Sequence, residues 1–446
     1  LQSGILIFRP RYIMGIATTQ NCTDIEVDST MEFSGFGDKF AGDSGITQLM
    51  HDLNDGLTNP NAIMLGGGNP AQIPAMVDYF NQLLAEMAAT GELTAAITNY
   101  DGPQGKDLFI SALATLLKQH YGWDISSKNI TLTNGSQSAF FNLFNLLAGK
   151  CQDGSHKKIL LPLSPEYIGY ASAGLDDDMF ISYQPTISLL NDGLFKYHID
   201  FSRLVIDDSI GAICASRPTN PTGNVLTDDE IKQLDTLAQQ HNIPLIIDNA
   251  YGIPFPDIIF ADVTPFWNRN TILCMSLSKL GLPGIRCGIV IANEEIITAL
   301  TNINGIINLA PGSLGPAIAD KLIARNDLLR LSHDIIRPFY YRKAQYAVSR
   351  LQHYITDPRF RIHKPEGAIF LWLWCDALPI TTKELYRRLK ARGVLIVPGE
   401  YFFIGLDKPW RHSQQCLRMN YVQSDELMDQ GIKMIAEEIT RAYAEG

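Results

Sequence analysis

The chain predicts an α/β fold with a mostly parallel sheet and a smaller α+β domain towards its carboxyl end. Three observations carry this expectation. Short apolar, β-rich runs alternate with helix-period stretches from about residue 100, and the pattern changes to long helical segments after about residue 325. At 446 residues the chain also exceeds the size at which one hydrophobic core stops growing. Hydrophobic residues make up 46% and charged residues 19%, the balance of a globular protein rather than a disordered one.

Taken in order, residues 1–30 read as an N-terminal extension. Met31-Glu32-Phe33-Ser34 looks like a natural start, with Met14 as an alternative. The first ten residues are apolar with few charges, but Arg9 and Arg11 follow the apolar run instead of preceding it. No A-x-A-like site is clear, which argues against a signal peptide. Residues 31–75 are expected to form the N-terminal part of the small domain, 76–325 the large domain and 326–446 the rest of the small one. Strands are expected over 130–133, 159–163, 212–216, 245–248, 271–276 and 288–292. Between two of them, Thr227-Asp228-Asp229-Glu230 reads as a capping box. It opens a helix whose Ile231, Leu234, Leu237 and Ala238 share one face. Strands alternating with helices imply a sheet covered on both faces. Past residue 325 a strand is expected over 368–374, and a second capped helix from Thr381-Thr382-Lys383-Glu384 to Gly393.

Composition excludes several function classes. The formal charge of −11 argues against nucleic acid or an anionic membrane surface as partner, because either needs a basic face. No apolar run approaches the length of a membrane span. The seven cysteines are scattered without a C-x-x-C, as expected of free thiols in a reducing cytoplasm. The nine histidines form no H-x-x-x-H or Cys/His cluster, so no metal is expected.

The most informative stretch is Ser276-Leu277-Ser278-Lys279-Leu280-Gly281-Leu282-Pro283-Gly284-Ile285-Arg286. A lysine just past a buried strand can have its amine partly desolvated and its pKa lowered, which suits Schiff-base chemistry. Ser276, Ser278 and Arg286 supply the hydroxyl and guanidinium donors that a phosphate dianion needs. Together they suggest pyridoxal 5'-phosphate. Asn220-Pro221-Thr222-Gly223 and Asp248-Asn249-Ala250-Tyr251 also follow strands. All three motifs should therefore meet at the carboxyl edge of the sheet, where open α/β sheets bind ligands. An aspartate after three aliphatic residues is costly to bury unless paired, and a protonated pyridine nitrogen is such a partner. Tyr251 and Asn220 could hold the ring's phenolic oxygen. Gly135-Ser136-Gln137 opens a helix after strand 130–133, a natural phosphate seat, although capping alone explains it equally well. Tyr167, in Pro165-Glu166-Tyr167-Ile168-Gly169-Tyr170, offers a ring to stack on a flat cofactor or to pack in the core.

Asn220-Pro-x-Gly, Asp248-x-x-Tyr251 and Ser276-x-Ser-Lys279 with Arg286 resemble the signature of fold-type I pyridoxal-phosphate aminotransferases, over nearly the whole chain from Met31. Within that group, four stretches resemble the valine–pyruvate branch: 65–74, Tyr100-Asp-Gly-Pro-Gln-Gly-Lys106, 217–223 and 363–372. Arg418-Met-Asn-Tyr421 does so too. The resemblance implies a mostly parallel seven-stranded sheet in the large domain and a homodimer with shared active sites. It assigns Lys279 to the Schiff base and to proton transfer, and Asp248 to the ring nitrogen. Ser136, Gln137, Ser276 and Arg286 would hold the phosphate, with Tyr100 contributed by the partner subunit. Arg418 would clamp the substrate carboxylate, helped by Asn220 and the Gly68 backbone. The spacing from Lys279 to Arg286 is shorter than in most of the superfamily.

The implied reaction moves an amino group between L-valine and pyruvate. The alternatives are another apolar amino acid, or a lyase or decarboxylase on the same fold. A ligand-sensing regulator would carry a DNA-binding domain, for which residues 1–30 are too few. Ser44-Gly45-Ile46 are candidates for the side-chain pocket, and a cytoplasmic location is expected.

Overall fold

The computed structural model describes residues 32–42, 45–56 and 58–445, so the expectations for residues 1–30 and for Ser44 lie outside the described residues. The chain divides into residues 1–42 and 43–446. In the first unit the described element is the helix Gly35–Ala41, capped by Ser34 Oγ accepting from Gly37 N–H at 3.3 Å.

The second unit is built on two large sheets. The main one runs in the order Ile130–Thr133, Gly288–Ile291, Thr271–Ser276, Leu245–Asp248, Ile210–Ser216, His156–Leu161, with Phe180–Ser182 pairing beside His156–Leu161. Pairing is parallel through the middle, and only Gly288–Ile291 runs against its neighbours among these seven strands. An eighth strand, the two-residue Gly149–Lys150, folds back antiparallel on His156–Leu161. That latter strand starts earlier than expected, because His156, Lys157 and Lys158 continue the ladder with part of each side chain in solvent. Both faces are covered. Ile272 and Cys274 pack on one side with helix Ser136–Leu147, while Leu273 and Met275 pack on the other.

Asp228–Gln240 forms the predicted capped helix, with the reciprocal Thr227 and Glu230 bonds in place and Ile231, Leu234 and Ala238 buried. The second capped helix, Thr382–Ala391, keeps Thr381 Oγ1 on Glu384 N–H. Its Glu384 carboxylate turns outward to Arg387 and Arg388 instead.

A second, six-stranded sheet has the order Val397–Pro398, Cys416–Asn420, Phe370–Cys375, Phe360–His363, Leu194–His198, Thr186–Leu189. It joins a hairpin from the middle of the chain to strands from its last quarter. Ile63–Met64 pairs in parallel with Val394–Leu395, which stitches the early segment to the late one. Among the described residues no helix is long and apolar enough to cross a membrane.

Candidate active site

Register places the chemistry. In the main sheet Ser216 lies beside Asp248 and Asp248 beside Cys274, so the segments carrying Asn220, Asp248 and Lys279 leave the sheet side by side at one edge. A cavity of about 410 Å³ opens there. It is lined by Ser136, Gln137, Tyr167, Asn220, Asp248, Tyr251, Ser276, Lys279, Arg286, Arg418 and Gly68. Of the residues singled out in the sequence, Gly135 and Tyr100 do not line it. Gly135 sits directly behind, and Tyr100 is 84% exposed.

Lys279 lies in a tight turn, Ser278–Leu280, that follows the strand. Its Nζ donates to Gly68 O at 2.5 Å and stands 5.3 Å from the Tyr251 ring centre. Burial, then the charges of Arg418 and Arg286, bring its pKa down to about 8, against the opposing pull of Asp248. Asp248 accepts from Tyr170 Oη–H at 2.7 Å and from Ala250 N–H at 3.0 Å. Burial raises its pKa to about 6, partly offset by these bonds and by Lys279. A carboxylate so placed is poised for a cationic partner.

Arg286 follows a second turn, Pro283–Ile285, in the left-handed conformation at φ 49°. The short loop thereby returns its guanidinium to the start of helix Ser136–Leu147. Gly135 has φ 89°, and a Cβ there would stand 2.2 Å from Arg286 Nη2. Backbone conformation and close approach both demand glycine. Ser276 Oγ accepts from Ser278 N–H at 3.0 Å and donates to Ser278 Oγ at 3.0 Å, fixing both hydroxyls at the cavity wall. A guanidinium, serine hydroxyls and a helix N-terminus thus converge, a donor set suited to a phosphate dianion.

Arg418 comes from the other sheet, on Cys416–Asn420. Its guanidinium donates to Asn220 Oδ1 at 2.8 Å and to Gly66 O at 2.6 Å, while its buried Nε has no partner. Phe370 and Phe402 flank it, with ring centres 4.2 and 5.1 Å away. Burial lowers its pKa to about 10, so it stays cationic at neutral pH. The cavity also has an apolar wall that the sequence reading missed: Leu49, Met50 and Leu53 of helix Gly45–Gly56, with Met64. Their spacing is that of one helical face, a signal indistinguishable from ordinary core packing. Of the candidates Ser44-Gly45-Ile46, none has a described side chain. Glu166, Tyr170 and Gly66 were also missed as parts of the site.

Comparison with known proteins fits this geometry. The model of the family "Aminotransferase class I and II" matches residues 63–435. The chain belongs to that family. The class I and II aminotransferases depend in general on pyridoxal phosphate. Among its relatives, valine–pyruvate aminotransferase of Escherichia coli (strain K12) is 64% identical over 415 residues, covering 93% of this chain and 100% of that protein. The crystal structure of valine–pyruvate aminotransferase from Salmonella typhimurium LT2 shares 62% identity and superimposes with a TM-score of 0.84, over 90% of this chain and 100% of that one. A putative amino-acid aminotransferase from Psychrobacter arcticum 273-4 shares 47% identity with a TM-score of 0.89, over 93% of this chain and 100% of that one.

Proposed function

We propose that this aminotransferase binds pyridoxal 5'-phosphate in the cavity and exchanges amino groups between L-valine and pyruvate, giving 3-methyl-2-oxobutanoate and L-alanine. The observation that carries the reading is that Arg418 and Lys279 line one cavity together with an aliphatic wall. The guanidinium, with its Nε unpaired, suits an α-carboxylate, and the wall of Leu49, Leu53 and Met64 suits a short branched side chain. The relatives named valine–pyruvate aminotransferase support the same substrates.

The cofactor fits the residues present. Ser136, Gln137, Ser276 and Arg286 would hold its phosphate, Asp248 its ring nitrogen, Asn220 and Tyr251 its phenolic oxygen, and Tyr167 one face of the ring. When bound, it supplies an electron sink that acidifies the substrate Cα–H. Lys279, with its pKa near 8, presents an amine able to take and return that proton. Arg418, Asn220 and the Gly66–Gly68 strap orient the substrate so that its Cα–H faces Lys279.

A second copy of the chain would complete the site with Tyr100. The exposure of Tyr100, Ile97, Ile306, Ile307 and Leu309 supports this. So does Asn304 Nδ2, which ties the helix carrying Ile306 to the Pro103 carbonyl beside Tyr100. The further readings are a large domain over 76–325, a small one from 31–75 and 326–446, and a cytoplasmic location.

Steady-state kinetics with valine and pyruvate test the reaction. An enzyme that is reloaded between two half-reactions gives parallel double-reciprocal lines; intersecting lines overturn the scheme. Valine alone should convert the cofactor once and stop. Continued turnover would instead favour a lyase.

A further inference from the structure

Glu166 has no accessible surface and no lysine, arginine or histidine bonded to it among the described residues. Its Oε1 accepts from Ser216 N–H at 3.0 Å. Its Oε2 lies 2.7 Å from Ser216 Oγ and 3.2 Å from Tyr167 N. Ser216 Oγ lies 3.5 Å from Tyr170 Oη, and Tyr170 donates to Asp248. Two buried carboxyl groups thus stand at opposite ends of one chain of hydroxyls.

We propose that Glu166 is a positioning residue held as the neutral acid, whose O–H heads a directional relay through Ser216 and Tyr170 that keeps the negative charge of the pair on Asp248. Two anions sharing a dry network repel each other, so the proton settles on one of them. The facing charge decides which, since each carboxyl has backbone N–H and hydroxyl neighbours. Asp248 faces the Lys279 charge, whereas Glu166 has no cation bonded to it among the described residues. The titratable groups facing Glu166 are Asp248, whose charge disfavours a second anion, and the Cys214 thiol and Tyr170 phenol, which burial keeps neutral. Burial, and after it the Asp248 charge, pushes Glu166 up to about 8, above Asp248 at about 6.

Proton counting gives the relay its direction. The Tyr170 hydrogen is spent on Asp248, so Tyr170 Oη can only accept from Ser216. Ser216 is free to donate there only when Glu166 donates to it. An ionised Glu166 would take the Ser216 hydrogen and leave Tyr170 without a donor behind it, weakening its hold on Asp248.

Infrared spectroscopy of the full-length protein with 13C-labelled glutamate tests the protonation state without reference to turnover. At pH 7 we expect a carboxylic-acid carbonyl band that carries the label and is absent in Glu166→Gln. In Ser216→Ala, which leaves Glu166 in place but removes its hydroxyl partner, that band should shift. A labelled spectrum with no such band overturns the proposal. The kinetic arm rests on the transaminase reading. Ser216→Ala, which removes the donor behind Tyr170, should move the acidic limb of kcat/KM to higher pH by about 0.5–1 unit, the worth of one hydrogen bond. Glu166→Gln, a neutral donor and acceptor, should leave the limb where it is. If Glu166→Gln moves the limb to lower pH, Glu166 was an anion and the relay is wrong.

Discussion

Replacing Arg418 by lysine separates charge from shape. The guanidinium holds Asn220 and Gly66 with two of its nitrogens, leaving the rest of the fork for a carboxylate. An ammonium keeps the positive charge but cannot hold both anchors and grip two oxygens at once. One charge-assisted bond is worth about 1.5–3 kcal/mol, so kcat/KM for valine should fall by about 10- to 100-fold. Arg418→Met also removes the charge that helps depress Lys279, so the lysine pKa should rise above 8 in that variant and not in Arg418→Lys. The assay is pre-steady-state conversion of the bound cofactor by valine and by 2-methylpropylamine, which lacks the carboxylate. Arg418→Lys should slow valine and spare the amine. An equal loss for both would mean that Arg418 acts through folding or through the cofactor, and the clamp would have to be given up.

Lys279→Ala should bind pyridoxal phosphate only non-covalently and lose at least about 10²–10⁴-fold in rate, the share of positioned proton transfer. Borohydride labelling and peptide mapping check it, and label on another lysine refutes the assignment. Gly135→Ala sets a Cβ against Arg286 at a positive φ. Cofactor affinity should drop by about 10-fold or more at the roughly 1–2 kcal/mol cost of that conformation, measured by titrating the apoprotein. Buried His363 and His412 are both depressed to about 3 against an ordinary value near 6.5. The unfolded chain therefore binds more protons between those values, and stability falls as pH drops from about 6.5 towards 3. The slope should reach about 1.4 kcal/mol per pH unit for each histidine, in denaturant titrations across that range. A flat profile between pH 6.5 and 4 would refute their burial as neutral rings.

Much of the main sheet was readable because its strands are buried on both faces and so appear as unbroken apolar runs, as in Thr271–Ser276. The capping box at Thr227 was readable because cap chemistry is local. The hairpin Thr186–His198 escaped notice: its first strand is half exposed, and its parallel partner lies at Phe360–His363, far along the chain. Phe180–Ser182 was too short to show a period. In the site, Lys279, Asp248 and Asn220 announce themselves by following strands. Glu166 does not, since a glutamate in a loop reads as solvent-facing until Ser216 and Tyr170 are known to enclose it. Leu49 and Leu53 carry no sign that their helix faces a cavity rather than a core.

The cross-strapping of Arg418 to Asn220 and Gly66 has a bearing on synthesis. Those three residues come from opposite ends and the middle of the chain, and the ladder between Ile63–Met64 and Val394–Leu395 closes the same long loop. On the proposed roles, a nascent chain emerging from the ribosome could have formed the sheet edge with Lys279 and Asp248, yet it would lack the Arg418 guanidinium until residue 418 had arrived. The Lys279 amine would then meet cellular aldehydes before the proposed carboxylate clamp exists. Early capture of the cofactor by the main sheet would shield it during that interval.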